Sequence, residues 1–311
     1  MRAQPQVSEI SAHVGPTWGR RHGRSVMRAQ CEVGWDGRMD LPTLTEVRIP
    51  ATRDDLVLSE TVIPLGGGTW LFSEPQDHLT GLVDLMALGW TPWERRQDGG
   101  LSLAATCTMA ELTRIPARSG WRALPLFRQC AESLLQSFKI WNTATVGGNI
   151  ATALAAGALI GLAGALDAEL VIWTPDGGER RQRAADAVLA QRRTTLQPGE
   201  VIRSIEFGPG PLAATTAFRR IALSPLGRAG TVLAARRDLD GGFVLCVTGG
   251  TTRPEVIRFP DLPSRDELAA AVAVVPTWFS DPHGAADWRE AVSRLLAEEI
   301  RQELAGTEAA R

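Results

Sequence analysis

The sequence predicts an α+β protein of two domains, and three observations support this fold class. The length of 311 residues suits two domains of roughly 100–200 residues each. The stretch 39–210 mixes strand and helix patterns, and the stretch 211–311 has strand patterns followed by helix patterns. Strands followed by helices are typical of an α+β domain. The Gly-Pro run at 208–211 is the best linker candidate, so we place the boundary at residue 210.

The elements of the first domain are predicted from short apolar or β-branched runs. We expect strands over 61–65, 82–85, 101–106, 169–174 and 201–207. Thr108 and Glu111 have the spacing of a capping box, which predicts a helix start. A second helix is expected over 122–136, where apolar residues recur at helical spacing. The 14-residue apolar run 153–166 predicts a buried helix, because a membrane-spanning helix needs about 20 residues.

The second domain is predicted as an antiparallel sheet plus helices. Strands are expected over 215–221, 231–237, 243–248 and 255–259. Ser264 and Glu267 form another capping-box pattern, so a helix should follow them. The last helix is expected over 285–304, with one face formed by Trp288, Val292, Leu295, Leu296 and Ile300.

The amino-terminal stretch and the composition narrow the functional classes. Residues 1–38 have little periodicity, so we predict a poorly ordered extension.

The net charge of −2 argues against a general nucleic-acid binder, which is normally basic. The four cysteines, Cys31, Cys107, Cys130 and Cys246, lie far apart. This pattern argues against an iron–sulfur or zinc site within the chain and fits a reducing compartment. The four histidines lack metal-ligand spacing, so we predict no metal site.

Two glycine-rich loops carry the chemical signals. The first is Gly66-Gly67-Gly68-Thr69, after a predicted strand, and the second is Thr145-Val146-Gly147-Gly148-Asn149, before a predicted helix. Successive backbone N–H groups can bind an anion, and a helix start adds partial positive charge. Neither loop is a Walker A motif or a G-x-G-x-x-G fingerprint. On the residues alone, each loop indicates either a tight turn or part of a site for a phosphate-bearing ligand.

The order of the motifs resembles one known family. The motifs are Leu65–Leu71, Leu82–Leu85, Leu101–Leu112, Thr145–Asn149, Leu166–Glu169, Arg193–Leu196 with Pro198–Glu200, and Asp287–Arg289. Over about residues 39–304 the chain resembles the FAD-binding medium subunit of the molybdenum hydroxylases, the group of xanthine dehydrogenase and aerobic carbon monoxide dehydrogenase. The resemblance implies a two-subdomain FAD-binding fold of the molybdopterin dehydrogenase type, followed by the α+β domain.

The resemblance also implies that FAD lies extended between the two loops. One side of the cofactor would be held by Pro64, Leu65, Gly66, Gly67, Gly68, Thr69, Trp70 and Leu71. The opposite side would be held by Thr145, Val146, Gly147, Gly148 and Asn149. Leu196 and Arg219 would contact the flavin end, with Thr108 as a further contact. No catalytic acid or base is expected, because the cofactor carries the chemistry.

The function implied by the resemblance is electron transfer within a complex. FAD would receive electrons from 2Fe–2S clusters in a small partner subunit, which in turn receive them from a large molybdopterin subunit. The acceptor would be NAD+ or oxygen. We expect a soluble, cytoplasmic protein without a membrane span. Two alternatives stay open: a stand-alone flavin oxidase or reductase, and a scaffold subunit that has lost FAD. Trp70 stands where the family commonly has an acidic or small polar residue, and Ala158 stands where it often has Asp. These two departures suggest the scaffold alternative.

Overall fold

The computed structural model describes residues 20–21, 24–27, 41–133, 137–155 and 157–309. Within these ranges the chain forms three sheets of four or five strands, one two-stranded ribbon and nine α-helices. Helices are combined with sheets of which two are wholly antiparallel, which confirms the α+β class. No helix of the described part is both long and apolar enough to cross a membrane.

The first sheet has the strand order β1-β2-β3-β5-β4. Its strands are β1 (Arg20–Arg21), β2 (Arg24–Met27), β3 (Glu46–Arg48), β4 (Val62–Leu65) and β5 (Gly81–Asp84). β3 and β4 both run parallel to β5, so their carboxyl ends lie at one edge of the sheet. β1 and β2 belong to the stretch 1–38, and the rest of that stretch lies outside the described residues. The predicted strands at 61–65 and 82–85 are confirmed as β4 and β5.

The second sheet is antiparallel, with the order β6-β7-β12-β8-β9. This region contains β6 (Trp93–Arg95), β7 (Leu101–Ala104), α1 (Met109–Thr113), α2 (Leu124–Glu132), α3 (Phe138–Thr143), α4 (Val146–Thr152), α5 (Ala158–Ala165), β8 (Glu169–Trp173), β9 (Glu179–Arg183), α6 (Ala184–Ala187), β10 (Val188–Ala190), β11 (Arg193–Thr194) and β12 (Val201–Phe207). The main hydrophobic core joins the sheet to the helices, as shown by Leu103 and Ile205 packing in one cluster with Phe127 and Leu162.

Two helix predictions in this region differ from the structure in extent. The helix expected over 122–136 is α2, and residues 134–136 lie outside the described part. The single helix expected over 153–166 is divided. Ala153 ends α4 in the left-handed conformation, with φ of 50°, and Gly157 is the N-cap of α5. The run of apolar residues therefore contains a helix end, a connection and a second helix.

The third sheet is antiparallel and follows chain order. This region contains α7 (Pro209–Ala213), β13 (Thr215–Ile221), β14 (Thr231–Arg237), β15 (Phe243–Thr248), β16 (Glu255–Phe259), α8 (Arg265–Ala273) and α9 (Ala286–Ala309). Leu233 and Leu245 of the sheet share a core with Leu268 of α8 and Ile300 of α9. The antiparallel sheet predicted for this part is confirmed. The predicted linker at 208–211 instead begins α7, because Pro209 occupies the first helical position, where a missing N–H costs nothing.

A partly buried ion-pair network joins the second and third regions. Asp167, after α5, pairs with Arg236 of β14 at 2.7 Å and also with Arg258 of β16. Arg236 is 4% exposed and bonds Asp238 at 2.8 Å. Because each charge has a partner, this contact satisfies the polar groups that the interface buries.

Candidate functional site

The described part of the chain contains one large cavity, of about 840 Å³. This volume falls within the roughly 300–1,000 Å³ that is typical of ligand sites. The cavity lies where the loop after β4 meets α3, α4 and the turn between β11 and β12. Its lining includes Pro64–Leu71, Thr106, Thr145, Gly147–Asn149, Arg192, Leu196–Ile202 and Arg228.

The loop after β4 supplies a row of free hydrogen-bond donors to the cavity. The N–H groups of Gly66, Gly67, Gly68, Thr69 and Trp70 have no acceptor among the described residues. All five residues line the cavity. Gly68 has a φ of 66°, which a residue with a side chain adopts only at a cost. Consecutive unpaired N–H groups on a curved loop suit an anionic ligand.

The glycines of this loop also allow a close approach to the second loop. A Cβ at Gly67 would lie 1.7 Å from the carbonyl oxygen of Thr143, and one at Gly66 would lie 2.7 Å from Oγ1 of Thr145. Real Cβ atoms do not approach other atoms so closely. The two loops therefore meet at a contact that only glycine permits, and this contact sets the width of the cavity.

The second loop differs from the first because its N–H groups are already bonded. Val146 N–H donates to Cys107 O at 2.8 Å, and Gly147 N–H donates to Ala105 O at 2.9 Å. Gly148 N–H donates to Oγ1 of Thr145 at 3.1 Å. The structure therefore does not support the expectation that these N–H groups hold an anion. Thr145, Gly147, Gly148 and Asn149 line the cavity as shaping residues.

Asn149 links the second loop to the next helix. Its side-chain oxygen accepts a hydrogen bond from Leu159 N–H, in the first turn of α5, at 3.1 Å. α4 and α5 are thereby held together although the connection between them is irregular. The result is a fixed wall on one side of the cavity.

An ion pair holds the turn 195–200 against the cavity. Arg180 of β9 bonds both carboxylate oxygens of Glu200 at 2.6 Å. Glu200 also accepts the N–H of Gln197 at 2.9 Å. The hydrogen bond from Arg180 lowers the pKa of Glu200 below its ordinary value, so this carboxylate is charged at neutral pH. The network fixes Leu196, which lines the cavity as the resemblance implies.

Two guanidinium groups line the cavity, those of Arg192 and Arg228. The Cζ atom of Arg192 lies 5.6 Å from the ring centroid of Trp70, and its NH1 lies 3.1 Å from Glu74. Arg228 is exposed and has no ion-pair partner among the described residues. The sequence reasoning missed both residues, because nothing in their local pattern separates them from the many surface arginines.

Three predicted contact residues lie elsewhere. Thr108 caps α1, where its hydroxyl oxygen accepts Glu111 N–H at 3.2 Å. Val146 is buried in the core. Arg219 pairs with Glu299 and Glu303 of α9, both at 2.8 Å. Its strand directs this side chain toward α9, and Arg219 is not among the lining residues of the cavity, so the structure does not support the expectation that Arg219 reaches the flavin end.

The cysteines of the described part take no part in this site. Cys107, Cys130 and Cys246 are buried and unpaired. Burial raises the pKa of Cys107 and of Cys246 to about 12 each, so these thiols stay protonated and unreactive. The described residues contain no cluster of side chains able to hold a metal ion.

The cavity is large, and it is lined by a row of free N–H groups and by two guanidinium groups. These features are typical of a protein that binds a ligand with phosphate groups. The comparison with known families identifies the phosphate-bearing ligand. Residues 48–209, more than half of the chain, match the family described as the FAD binding domain in molybdopterin dehydrogenase. The chain belongs to this family, a family of oxidoreductase components, and FAD is its cofactor.

Solved structures show the same fold at low sequence identity. The chain superposes on quinoline 2-oxidoreductase from Pseudomonas putida 86 with a TM-score of 0.71 and 20% identity, covering 84% of this chain and 96% of that chain. For CO dehydrogenase from Oligotropha carboxidovorans the TM-score is 0.70 at 20% identity, with 81% and 94% covered. For carbon monoxide dehydrogenase from Hydrogenophaga pseudoflava it is 0.68 at 19% identity, with 82% and 94% covered. None of the curated proteins matches the sequence. The two-subdomain fold implied by the resemblance is thus confirmed.

The residues present fit FAD. The free N–H groups of Gly66–Trp70 suit its diphosphate, and the cavity volume suits a ligand of its size. The loops leave no room for a Cβ at their contact, which keeps the backbone within reach of the cofactor. Trp70 lines the cavity, and its ring lies against the guanidinium group of Arg192, which lines the cavity too. Ala158 is buried at the start of α5 and is not a lining residue.

Proposed function

We propose that this chain is the FAD-carrying electron-transfer subunit of a molybdenum hydroxylase complex. Electrons would arrive from 2Fe–2S clusters in a small partner subunit and originate at a molybdopterin centre in a large one. FAD would then reduce an acceptor such as NAD+ or oxygen. The observation that carries the proposal is the cavity with five free N–H groups, in a chain of the molybdopterin dehydrogenase family.

The similarity to enzyme chains supports the multi-subunit part of the proposal. The matched chains are almost fully covered, at 94–96% of their length. One matched structure is described as lacking the Mo-pyranopterin moiety of its molybdenum cofactor. By analogy, this chain would work beside a molybdenum-containing chain. We include a cytoplasmic location in the proposal because the scattered cysteines of the sequence fit a reducing compartment.

The protein's own contribution is binding and orientation, since FAD supplies the redox chemistry. The first loop would hold the diphosphate through its N–H groups. The turn fixed by Glu200 and Arg180 would press Leu196 against the cofactor. No side chain is assigned a proton-transfer role.

The test is to purify the tagged chain from its native cells and to measure FAD, iron and molybdenum in the same sample. The proposal expects iron and molybdenum in fixed ratio to FAD, and a 2Fe–2S signal by electron paramagnetic resonance after reduction. A chain that carries FAD, contains neither metal and reduces oxygen or NAD+ with an added donor would instead be a stand-alone flavoenzyme. A chain that takes up no FAD would be a scaffold, the alternative that the open cavity argues against.

A further inference from the structure

Arg192 occupies an unusual position at the edge of the cavity. It has a φ of 59°, in the left-handed region, although it is not glycine. Its N–H donates to the carbonyl oxygen of Ala153 at 2.7 Å, and Ala153 also has a positive φ, of 50°. Such conformations cost energy in residues with side chains and occur preferentially at ligand sites. The backbone of Arg192 is thus fixed to the end of α4, a wall of the cavity.

The side chain of Arg192 lies beside the free donors of the first loop. Its guanidinium group lies against the ring of Trp70, with Cζ 5.6 Å from the ring centroid. Trp70 is the last of the five residues whose N–H groups have no acceptor in the described part of the chain. The NH1 group of Arg192 donates a hydrogen bond to a carboxylate oxygen of Glu74 at 3.1 Å. No described residue bonds Nε or NH2, so these donors are available to a ligand.

We propose that Arg192 binds the diphosphate of FAD and that Glu74 orients its guanidinium group. The inference rests on the FAD site of the proposed function. A guanidinium group presents paired donors that match phosphate oxygens. The first loop brings N–H groups but no formal charge to the diphosphate, and Arg192 supplies that charge. Both Arg192 and Arg228 line the cavity, and the guanidinium group of Arg192 lies against the ring of Trp70, at the end of the first loop.

The neighbouring residue offers a matched control. Arg193 is exposed, is not a lining residue and forms no ion pair among the described residues. The experiment compares Arg192→Gln with Arg193→Gln in the full-length chain after FAD has been removed. FAD is added back, and the dissociation constant is measured from flavin fluorescence at low and high salt. Thermal unfolding of each variant reports any loss of the fold.

The expected result is a roughly tenfold higher dissociation constant for Arg192→Gln, the scale of one charge-assisted hydrogen bond. The salt dependence of binding should decrease with the lost charge. Arg193→Gln should bind as the unmodified chain does. Equal binding by both variants would overturn the proposal. If the unmodified chain itself failed to bind FAD, the cofactor assignment would fail instead, so the two failures are distinguishable.

A Glu74→Gln variant separates a phosphate-binding role from a purely structural one. The amide oxygen can still accept from Arg192, and a negative charge near the diphosphate is removed. Binding of FAD should therefore not weaken. If Arg192 served only to tie the two loops through its ion pair with Glu74, Glu74→Gln, which removes the charge from that pair, would also weaken FAD binding, and the proposal would be wrong.

Competition by ADP locates the contact on the cofactor. ADP carries the diphosphate without the flavin ring. Arg192→Gln should weaken ADP binding by about the same factor as FAD binding. A variant that binds ADP normally but FAD weakly would place Arg192 at the flavin ring and contradict the proposal.

Discussion

Replacing Gly67 by alanine tests the contact on which the cavity depends. The new Cβ would lie 1.7 Å from Thr143 O, 2.5 Å from Thr143 C and 3.1 Å from Ala144 N. These are backbone atoms, so no side-chain rotation relieves the overlap. Gly67 does not have a positive φ, so the effect of the substitution is steric. The two loops must separate by more than an ångström.

The substitution Gly67→Ala should lower both the stability of the fold and the affinity for FAD. Overpacking of this kind costs about 1–3 kcal/mol of stability. A shift of that size also breaks one or two hydrogen bonds to a charged ligand, worth together about 2–4 kcal/mol. The dissociation constant of FAD should then rise roughly 30- to 1,000-fold. Gly67→Val should have at least the same effect.

The assay titrates FAD into the cofactor-free variant and follows flavin fluorescence, with circular dichroism as a check on the fold. The matched control is Gly210→Ala, on α7, where an added Cβ has no neighbour within 4 Å. The control should bind FAD normally. If Gly67→Ala also bound FAD with unchanged affinity while remaining folded, the argument that the glycine contact sets the cavity would be refuted.

Three further predictions concern residues outside the cavity. Thr108→Ala should lower stability by about 1 kcal/mol through loss of the cap, with flavin content unchanged in the absorbance spectrum. Arg219→Ala should cost less than about 1 kcal/mol, because its ion pairs with α9 are partly exposed, and should leave the flavin reduction rate unchanged. Burial raises the pKa of Asp167, but the hydrogen bonds and charges of Arg258 and Arg236 outweigh it and hold the pKa below its ordinary value. Asp167→Asn should cost roughly 1–3 kcal/mol at neutral pH. This loss of stability should shrink as the pH falls through the lowered pKa of Asp167 in the folded state. Urea unfolding of both proteins at several pH values measures it, and a loss that is the same at every pH would contradict the reasoning.

The strands were predictable where apolar or β-branched residues predominate, even when charged residues interrupt them, as in β12 and β13. β12, β13, β14 and β15 have the predicted bounds. A glycine or a charged residue directly flanks both ends of β12, β14 and β15. β9, with the sequence Glu-Arg-Arg-Gln-Arg, was missed. Its residues carry no hydrophobic pattern, and it is a strand because it pairs with the buried β8.

Part of the site was predictable because glycine-rich segments constrain the backbone directly. The first loop and most of the second line the cavity as expected. The role of each loop was not predictable, because it depends on which N–H groups find a backbone acceptor. Val146 and Gly147 donate to the segment around Ala105 and Cys107, a contact made between parts of the chain about 40 residues apart.

The sequence also did not predict which arginines reach the cavity. Arg219 and Arg228 lie nine positions apart in the sequence, and only the packing of α9 against the sheet decides that the first forms surface ion pairs while the second reaches the cavity. Arg192 owes its position to a left-handed backbone conformation. No sequence rule predicts this conformation for arginine.

The most direct test of the account is the visible spectrum of the purified full-length chain, followed by release and identification of its chromophore. The account predicts flavin absorbance and release of FAD at one molecule per chain, either as purified or after FAD is added. A chain that shows no flavin absorbance and takes up no added FAD would contradict the assignment of the cavity, and with it the proposed role in electron transfer.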